Sequence, residues 1–196
     1  YLAGDVNQRA PILHEAADDG RLAALQAVSN GQDEPMARRA RMAVMFTDPQ
    51  VAVVGTPFKS LPEGAVTGSV NFGNQGRARV MLVNRGLLHV YADKAGKFLG
   101  AEMVGPQAEH IAHLLAWSLQ MGLTLDQMLA MPFYHPVLEE GLRTALRELG
   151  ALAGDSAAAR DEQDPQDGAA GAGSPEDPQR IGFAADWEAP LVAAFR

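Results

Sequence analysis

Apolar residues recur at two different periods along this chain of 196 residues, and the change of period marks its elements. "ILHEAADDGRLAALQAVSNG" places Leu13, Ala16, Ala17, Leu22, Leu25 and Val28 at roughly helical spacing, with Asn30-Gly31 as the stop. Ahead of it, "YLAGDV" reads as a buried strand ending at Gly4-Asp5, and Pro11 fits a helix's first turn, where its missing N–H costs nothing. A lone strand and helix need a larger parallel sheet to lie against, so this end reads as cut off. "GQDEPMARRA" is a linker, which separates residues 1–31 from the rest across 32–42. Beyond it, "MAVMF" and "VAVVG" read as strands around Thr47-Asp48-Pro49. "RVMLV" and "LLHVYAD" read as a hairpin around Asn84-Arg85-Gly86, and "KFLGAEMVG" follows a second turn. The sheet expected is an antiparallel meander of about three strands.

The period then lengthens. "QAEHIAHLLAWSLQMG" carries Ile111, Leu114, Leu115, Trp117 and Met121 before Gly122, and Thr124 with Gln127 makes a capping-box pattern ahead of Leu125, Met128 and Leu129. Leu138, Leu142, Ala145, Leu146 and Leu149 form the apolar stripe of a last helix. Strands followed by helices predict an α+β domain, an antiparallel sheet flanked by helices, over residues 43–153. Residues 154–196 differ in character. "GDSAAARDEQDPQDGAAGAGSPEDPQ" has no apolar side chain larger than alanine and is expected to be disordered. Ile181, Phe183, Trp187, Leu191 and Phe195 follow, as a short docking helix or a sticky tail.

Charge matters only once it is located. The net charge is −8, and seven acids against Arg160 between Asp155 and Gln179 account for most of it. The remainder is close to neutral, with no basic stripe interleaved with aromatics, which argues against nucleic acid as a partner. There is no cysteine, so this chain holds no disulfide, thiolate metal site or redox dithiol. No apolar run is long enough for a membrane span, no secretory signal is recognisable, and the expected location is cytoplasmic. His110 and His113 share a helix face without a third ligand and read as ordinary helix residues rather than a metal site; His89 reads as a strand residue.

The candidate chemistry lies in "PFYHPVLEEGLR". A residue before proline is extended, so His135 stands outside the helix, with Pro136 at its first position and Glu140 about a turn inside. A carboxylate bonded to one ring nitrogen fixes the tautomer and stabilises the imidazolium, which makes the other nitrogen a good general base. The helix dipole works against that cation. The same residues also suit a plain helix lead-in, with first-turn glutamates favoured by the dipole and Glu139–Arg143 as a surface pair. Spacing leaves both readings open.

Five blocks, "YLAGDV", "PILHEAADDGRLAA", "FTDPQVAVVG", "GAEMVGPQAEHI" and "FYHPVLEEGLR", resemble in order and spacing the C-terminal part of the flavin-dependent pyridine nucleotide–disulfide oxidoreductases, in particular the dihydrolipoamide dehydrogenase branch. The resemblance covers roughly residues 1–151 and leaves the acidic tail outside. It implies that Gly4 and Asp5 end the flavin domain's last strand, with the aspartate on a ribityl hydroxyl of FAD, and that Leu13 and His14 contact the flavin ring through their backbone. "PILHEA" is one residue shorter than the common family form, which shifts those contacts by a position. Residues from about 43 onward would form the dimerisation domain. His135 and Glu140 match the H-P-x-x-x-E motif, whose histidine crosses the dimer interface and deprotonates a dithiol beside the partner's disulfide and flavin. The family's G-x-G-x-x-G, C-x-x-x-x-C and NAD domain have no counterpart here. The chain is therefore expected to be a C-terminal portion, inactive alone, with FAD and NAD bound mainly elsewhere. Its expected partners are a second copy and a 2-oxo acid dehydrogenase complex reached through lipoyl domains. A glutathione reductase-like relative and a non-catalytic dimerisation module are the alternatives.

Overall fold

A computed structural model describes residues 1–32 and 37–153. The expected disorder of 154–196, the apolar residues near its end and residues 33–36 of the 32–42 linker lie outside these residues. Five strands, β1 (Met42–Met45), β2 (Gln50–Gly55), β3 (Val66–Asn71), β4 (Leu87–Ala92) and β5 (Phe98–Gly105), form one wholly antiparallel sheet in the order β1-β2-β5-β4-β3. The architecture is α+β. Helices α3 (Ala108–Gln120) and α5 (Glu140–Ala153) pack on one face of the sheet, α3 over β2 and β5, α5 over β3 and β4. Period-2 alternation sends Ala52 and Val54, Leu88 and Val90, Ala101 and Met103 into the shared core with Ile111, Leu115, Leu142 and Leu146. Each fully buried leucine contributes about 1.5–3 kcal/mol, so the stripe of α5 is enough to fix that helix on the sheet.

Short elements complete the layer. Thr124 caps α4 (Leu125–Leu129), and the reciprocal bond from Gln127 makes the capping box the sequence predicts. The β1–β2 turn carries a cis Asp48–Pro49 bond. His89 sits in β4, opposite Glu102 of β5.

Three expectations are corrected. "RVMLV" is not a strand. Its first half closes α2 (Gly76–Val80), capped by the Gln75 side chain, which accepts the Ala78 N–H at 2.6 Å. Leu82 then adopts φ +58°, the Val83 N–H bonds to the Ala78 carbonyl (3.0 Å) and the Leu82 N–H to that of Arg79 (3.1 Å). This is a Schellman stop with leucine where glycine is usual, and it leaves Val80 and Leu82 exposed. The partner of β4 is instead β3, so the sheet is larger than a three-strand meander. Secondly, "YLAGDV" is no strand: Ala3 has extended dihedrals, but Gly4–Asn7 close a 3-10 turn, because no neighbouring strand among the described residues offers a ladder. Thirdly, α1 (Leu13–Val28) starts beyond Pro11, with Ile12 as its cap residue.

β3 carries Gly68 within its regular ladder, and the packing explains why. A Cβ there would lie 2.2 Å from the Ala145 carbonyl oxygen and 2.7 Å from the Leu149 nitrogen, so α5 rests its backbone on the strand. Gly68→Ala is expected to cost roughly 1–3 kcal/mol by overpacking, read as a lower melting temperature. Gly76→Ala, whose new Cβ meets nothing within 4 Å, is the control. Equal melting temperatures for the two variants contradict this packing.

Candidate functional site

α5 is held by its apolar stripe, and its N-terminus is thereby fixed over the edge of the core. Leu138, just before it, is 3% exposed. The loop leading in is pinned from a distant segment: the Gln75 side chain that caps α2 also donates to the Val137 carbonyl at 2.8 Å. Phe72, wholly buried, packs against Gly141, where a Cβ would come within 3.1 Å of its ring. The path of residues 135–139 is therefore set by tertiary contacts.

The helix starts at Glu140, not at Pro136. Residues 135–136 and 138–139 are turns, the His135–Pro136 bond is cis, and Gly141 and Leu142 donate to the carbonyls of Leu138 and Glu139. Glu140 accepts through Oε2, at 3.0 Å, the Val137 N–H, one of the donors that a helix start leaves without an intrahelical partner. Its Oε1 meets His135 Nδ1 at 2.8 Å. Side-chain exposure is 60% for His135 and 13% for Glu140. The acid is sheltered and fixed, while the imidazole is offered outward.

That arrangement assigns the tautomer. A carboxylate only accepts, so Nδ1 carries the hydrogen and Nε2 of the neutral ring carries the lone pair. A proton taken up at Nε2 places a positive charge beside Glu140, in contact through a charge-assisted bond. Sequence reasoning missed two further groups. Gln75 acts 62 positions away from Val137. Arg143 places its guanidinium 3.6 Å from the same Glu140 oxygen and over the Phe133 ring, 5.8 Å from its centre. The i, i+4 partner expected for Arg143 is Glu139; the contact observed is with Glu140, its i, i+3 neighbour.

Gly4, Asp5, Leu13 and His14 form a second group at the other end of the described chain. Gly4 (φ +74°) opens the 3-10 turn, Asp5 is exposed within it, and Leu13 and His14 open α1, with Leu13 88% exposed. The α1 cap residue Ile12 provides no side-chain acceptor, so the first N–H groups of this helix are open to a ligand. Among the described residues no hydrogen bond or ion pair joins this group to His135 or Glu140. His113 and His110 contact Glu109, through its carbonyl at 2.7 Å and its carboxylate at 3.7 Å. No cluster of three His, Asp or Glu is assembled among the described residues.

The family model for the pyridine nucleotide-disulphide oxidoreductase dimerisation domain matches residues 41–146, more than half of the chain. This chain belongs to that family. Dihydrolipoyl dehydrogenase from Haloferax volcanii is 34% identical over 152 residues, which cover 74% of this chain and 31% of the relative. The NAD(P)H dehydrogenase (quinone) of Mycobacterium tuberculosis is 28% identical, over 77% of this chain and 31% of its own length. Among solved structures, LpdA from Mycobacterium tuberculosis matches with a TM-score of 0.66 at 25% identity, covering 76% of this chain and 33% of that one. The chain spans 31% of the length of these curated relatives. The sheet with its two helices is thus a pyridine nucleotide-disulphide oxidoreductase dimerisation fold, and its relatives are oxidoreductases.

Nitrogen NMR of the His135 ring tests the site directly. The neutral ring is expected to be the Nδ1–H tautomer, and Glu140→Ala is expected to return it to the mixture of an unanchored imidazole. An Nε2–H tautomer in the unsubstituted protein contradicts the geometry.

Proposed function

We propose that this chain forms the C-terminal, base-bearing portion of a dihydrolipoamide dehydrogenase-like enzyme, which oxidises a dithiol and passes the electrons through FAD to NAD. The observation that supports this reading is the 2.8 Å contact from His135 Nδ1 to a sheltered Glu140, with the ring itself exposed. A non-catalytic dimerisation module has no use for an imidazole whose tautomer is fixed and whose other nitrogen is free for proton transfer.

In the step proposed, Nε2 of His135 takes the proton of a substrate thiol. Glu140 stabilises the imidazolium that results. The thiolate then attacks a disulfide carried by another part of the enzyme, breaking its S–S bond to give a mixed disulfide and one freed thiolate. The second substrate sulfur displaces the remaining enzyme sulfur, so the dithiol is oxidised and that disulfide reduced. Because the matched unit is the family's dimerisation domain, the reading places residues 43–153 against a second copy, with His135 serving the partner's disulfide. Residues 1–31 belong on this reading to the FAD-binding domain, 32–42 to the linker, and 154–196 to a tail.

The residues present fit a flavin in part. Asp5 is an exposed acceptor suited to a ribityl hydroxyl, Gly4 allows close backbone approach, and the uncapped start of α1 at Leu13 and His14 suits a ring carbonyl. FAD, when bound, supplies the route for the electron pair. NAD is assigned to parts of the enzyme outside this chain. The location proposed is cytoplasmic; among the described residues no helix is long and apolar enough to cross a membrane. Docking to a 2-oxo acid dehydrogenase complex through lipoyl domains is part of the same reading, and a glutathione-type dithiol is its rival as substrate.

In the whole enzyme, His135→Gln is expected to lower dithiol oxidation by about 10²- to 10⁴-fold, the usual worth of a general base, with FAD still bound. Glu140→Gln is expected to cost less, because the amide oxygen still orients the ring but no longer balances its charge. The chain alone is expected to show no lipoamide-dependent NADH oxidation. Unimpaired turnover in the His135 variant overturns the assignment.

A further inference from the structure

One buried charge lies outside the His135 site. Asp19, 5% exposed, is the charged side chain buried among the described residues, and the proposed chemistry does not use it. It sits in α1, yet its partners lie elsewhere. Oδ2 accepts the Gly4 N–H at 3.3 Å and the side-chain amide of Asn7; Oδ1 pairs with Arg38. Both ends of the Gly4–Asn7 turn are thus tied to one carboxylate, with Asp5 exposed between them. The turn lies directly on the helix, since a Cβ at Gly4 would come 3.4 Å from that of Ala16.

Arg38 carries the connection onward. Its guanidinium also approaches Glu15 (3.7 Å), and Arg39 pairs with Asp18 (3.3 Å), so the segment leading to β1 runs along α1 as a string of ion pairs. The Ala40 N–H then donates to Gln120 at the end of α3, and the Arg41 carbonyl accepts from Gly55 of β2. Burial by itself raises the Asp19 carboxyl, but the hydrogen bonds of Asn7, Arg38 and Gly4 and the charge of Arg38 outweigh it and hold the group below its ordinary value. The acceptor is therefore kept as a carboxylate, which can serve several donors at once.

We propose that Asp19 is a positioning residue for the flavin: it holds the turn that presents Asp5, and through Arg38 it ties that turn to the dimerisation sheet. FAD affinity then depends on a carboxylate that need not touch the cofactor. The inference rests on the reading of Asp5 as the ribityl contact. Asparagine at position 19 keeps the shape but turns one acceptor oxygen into a donor, facing either the Asn7 amide or Arg38.

The test uses the whole enzyme and measures FAD dissociation by flavin fluorescence together with amide exchange over residues 1–9. Asp19→Asn is expected to weaken FAD binding by about tenfold or more, the worth of a charge-assisted hydrogen bond. Exchange at Gly4 is expected to quicken, and kcat to recover when FAD is added in excess. Asp5→Asn is expected to lose FAD without faster exchange at Gly4. If Asp5→Asn binds FAD normally, the flavin reading fails and the inference falls with it. If Asp5→Asn loses FAD while Asp19→Asn keeps both affinity and exchange unchanged, the reading stands and the inference alone is overturned. Should Asp19→Asn not accumulate as folded protein, Arg38→Gln replaces it: faster FAD release and faster exchange support the inference, and unchanged values overturn it.

Discussion

Glu140 has two carboxylate oxygens, and the site depends on their being used for different tasks. One closes the backbone of the lead-in loop at Val137, and the other holds the imidazole of His135. The first bond makes the second reproducible, because a carboxylate tethered to a backbone N–H and largely withdrawn from water has little freedom to swing away. A ring held in this way keeps one tautomer and needs little reorganisation when it gains a proton. The helix dipole opposes that cation, and on the proposed function it is the contact with Glu140 that offsets it. Arg143 limits the effect by sharing the same oxygen.

The pair is only as rigid as the helix that carries it, and here function reaches back into packing. Leu138, Leu142, Ala145, Leu146 and Leu149 anchor α5, and Gly68 lets the helix backbone settle on β3. Gln75 adds a cross-brace by capping α2 with its oxygen and holding Val137 with its nitrogen. At the other end, Asp19 and Arg38 bind the turn that contains Asp5 to the approach to β1. Each candidate site is thus a short exposed loop held by side chains from a neighbouring element.

What the sequence made legible is what local rules encode. Apolar stripes mark α1, α3 and α5, a capping box marks α4, and the strands of plain alternation are β1, β2, β4 and β5. The His-Pro-x-x-x-Glu spacing alone put His135 and Glu140 within reach. The failures have two causes: a tertiary contact at Gly68, and local hydrogen bonds at Leu82 and Glu140 that an apolar pattern does not report. Gly68 weakens β3 as a strand signal because α5 needs the space. Leu82 ends α2 in a conformation usually left to glycine, so "RVMLV" imitates a strand. Pro136 reads as a helix start, whereas the helix begins at Glu140, whose carboxylate accepts the Val137 N–H. The roles of Asp19 and Gln75 were not legible because their partners lie far along the chain, and helical spacing pairs Arg143 with Glu139 rather than with its neighbour Glu140.

The most direct measurement is a mixed dimer of the whole enzyme. One subunit carries His135→Gln and the other lacks the redox cysteine pair that the proposed function places elsewhere in the enzyme; each is inactive as a homodimer. If His135 serves the partner's disulfide, the mixed dimer joins one intact histidine to one intact cysteine pair, and dithiol oxidation returns at that single site. A mixed dimer that is folded and flavin-bound yet inactive contradicts the account.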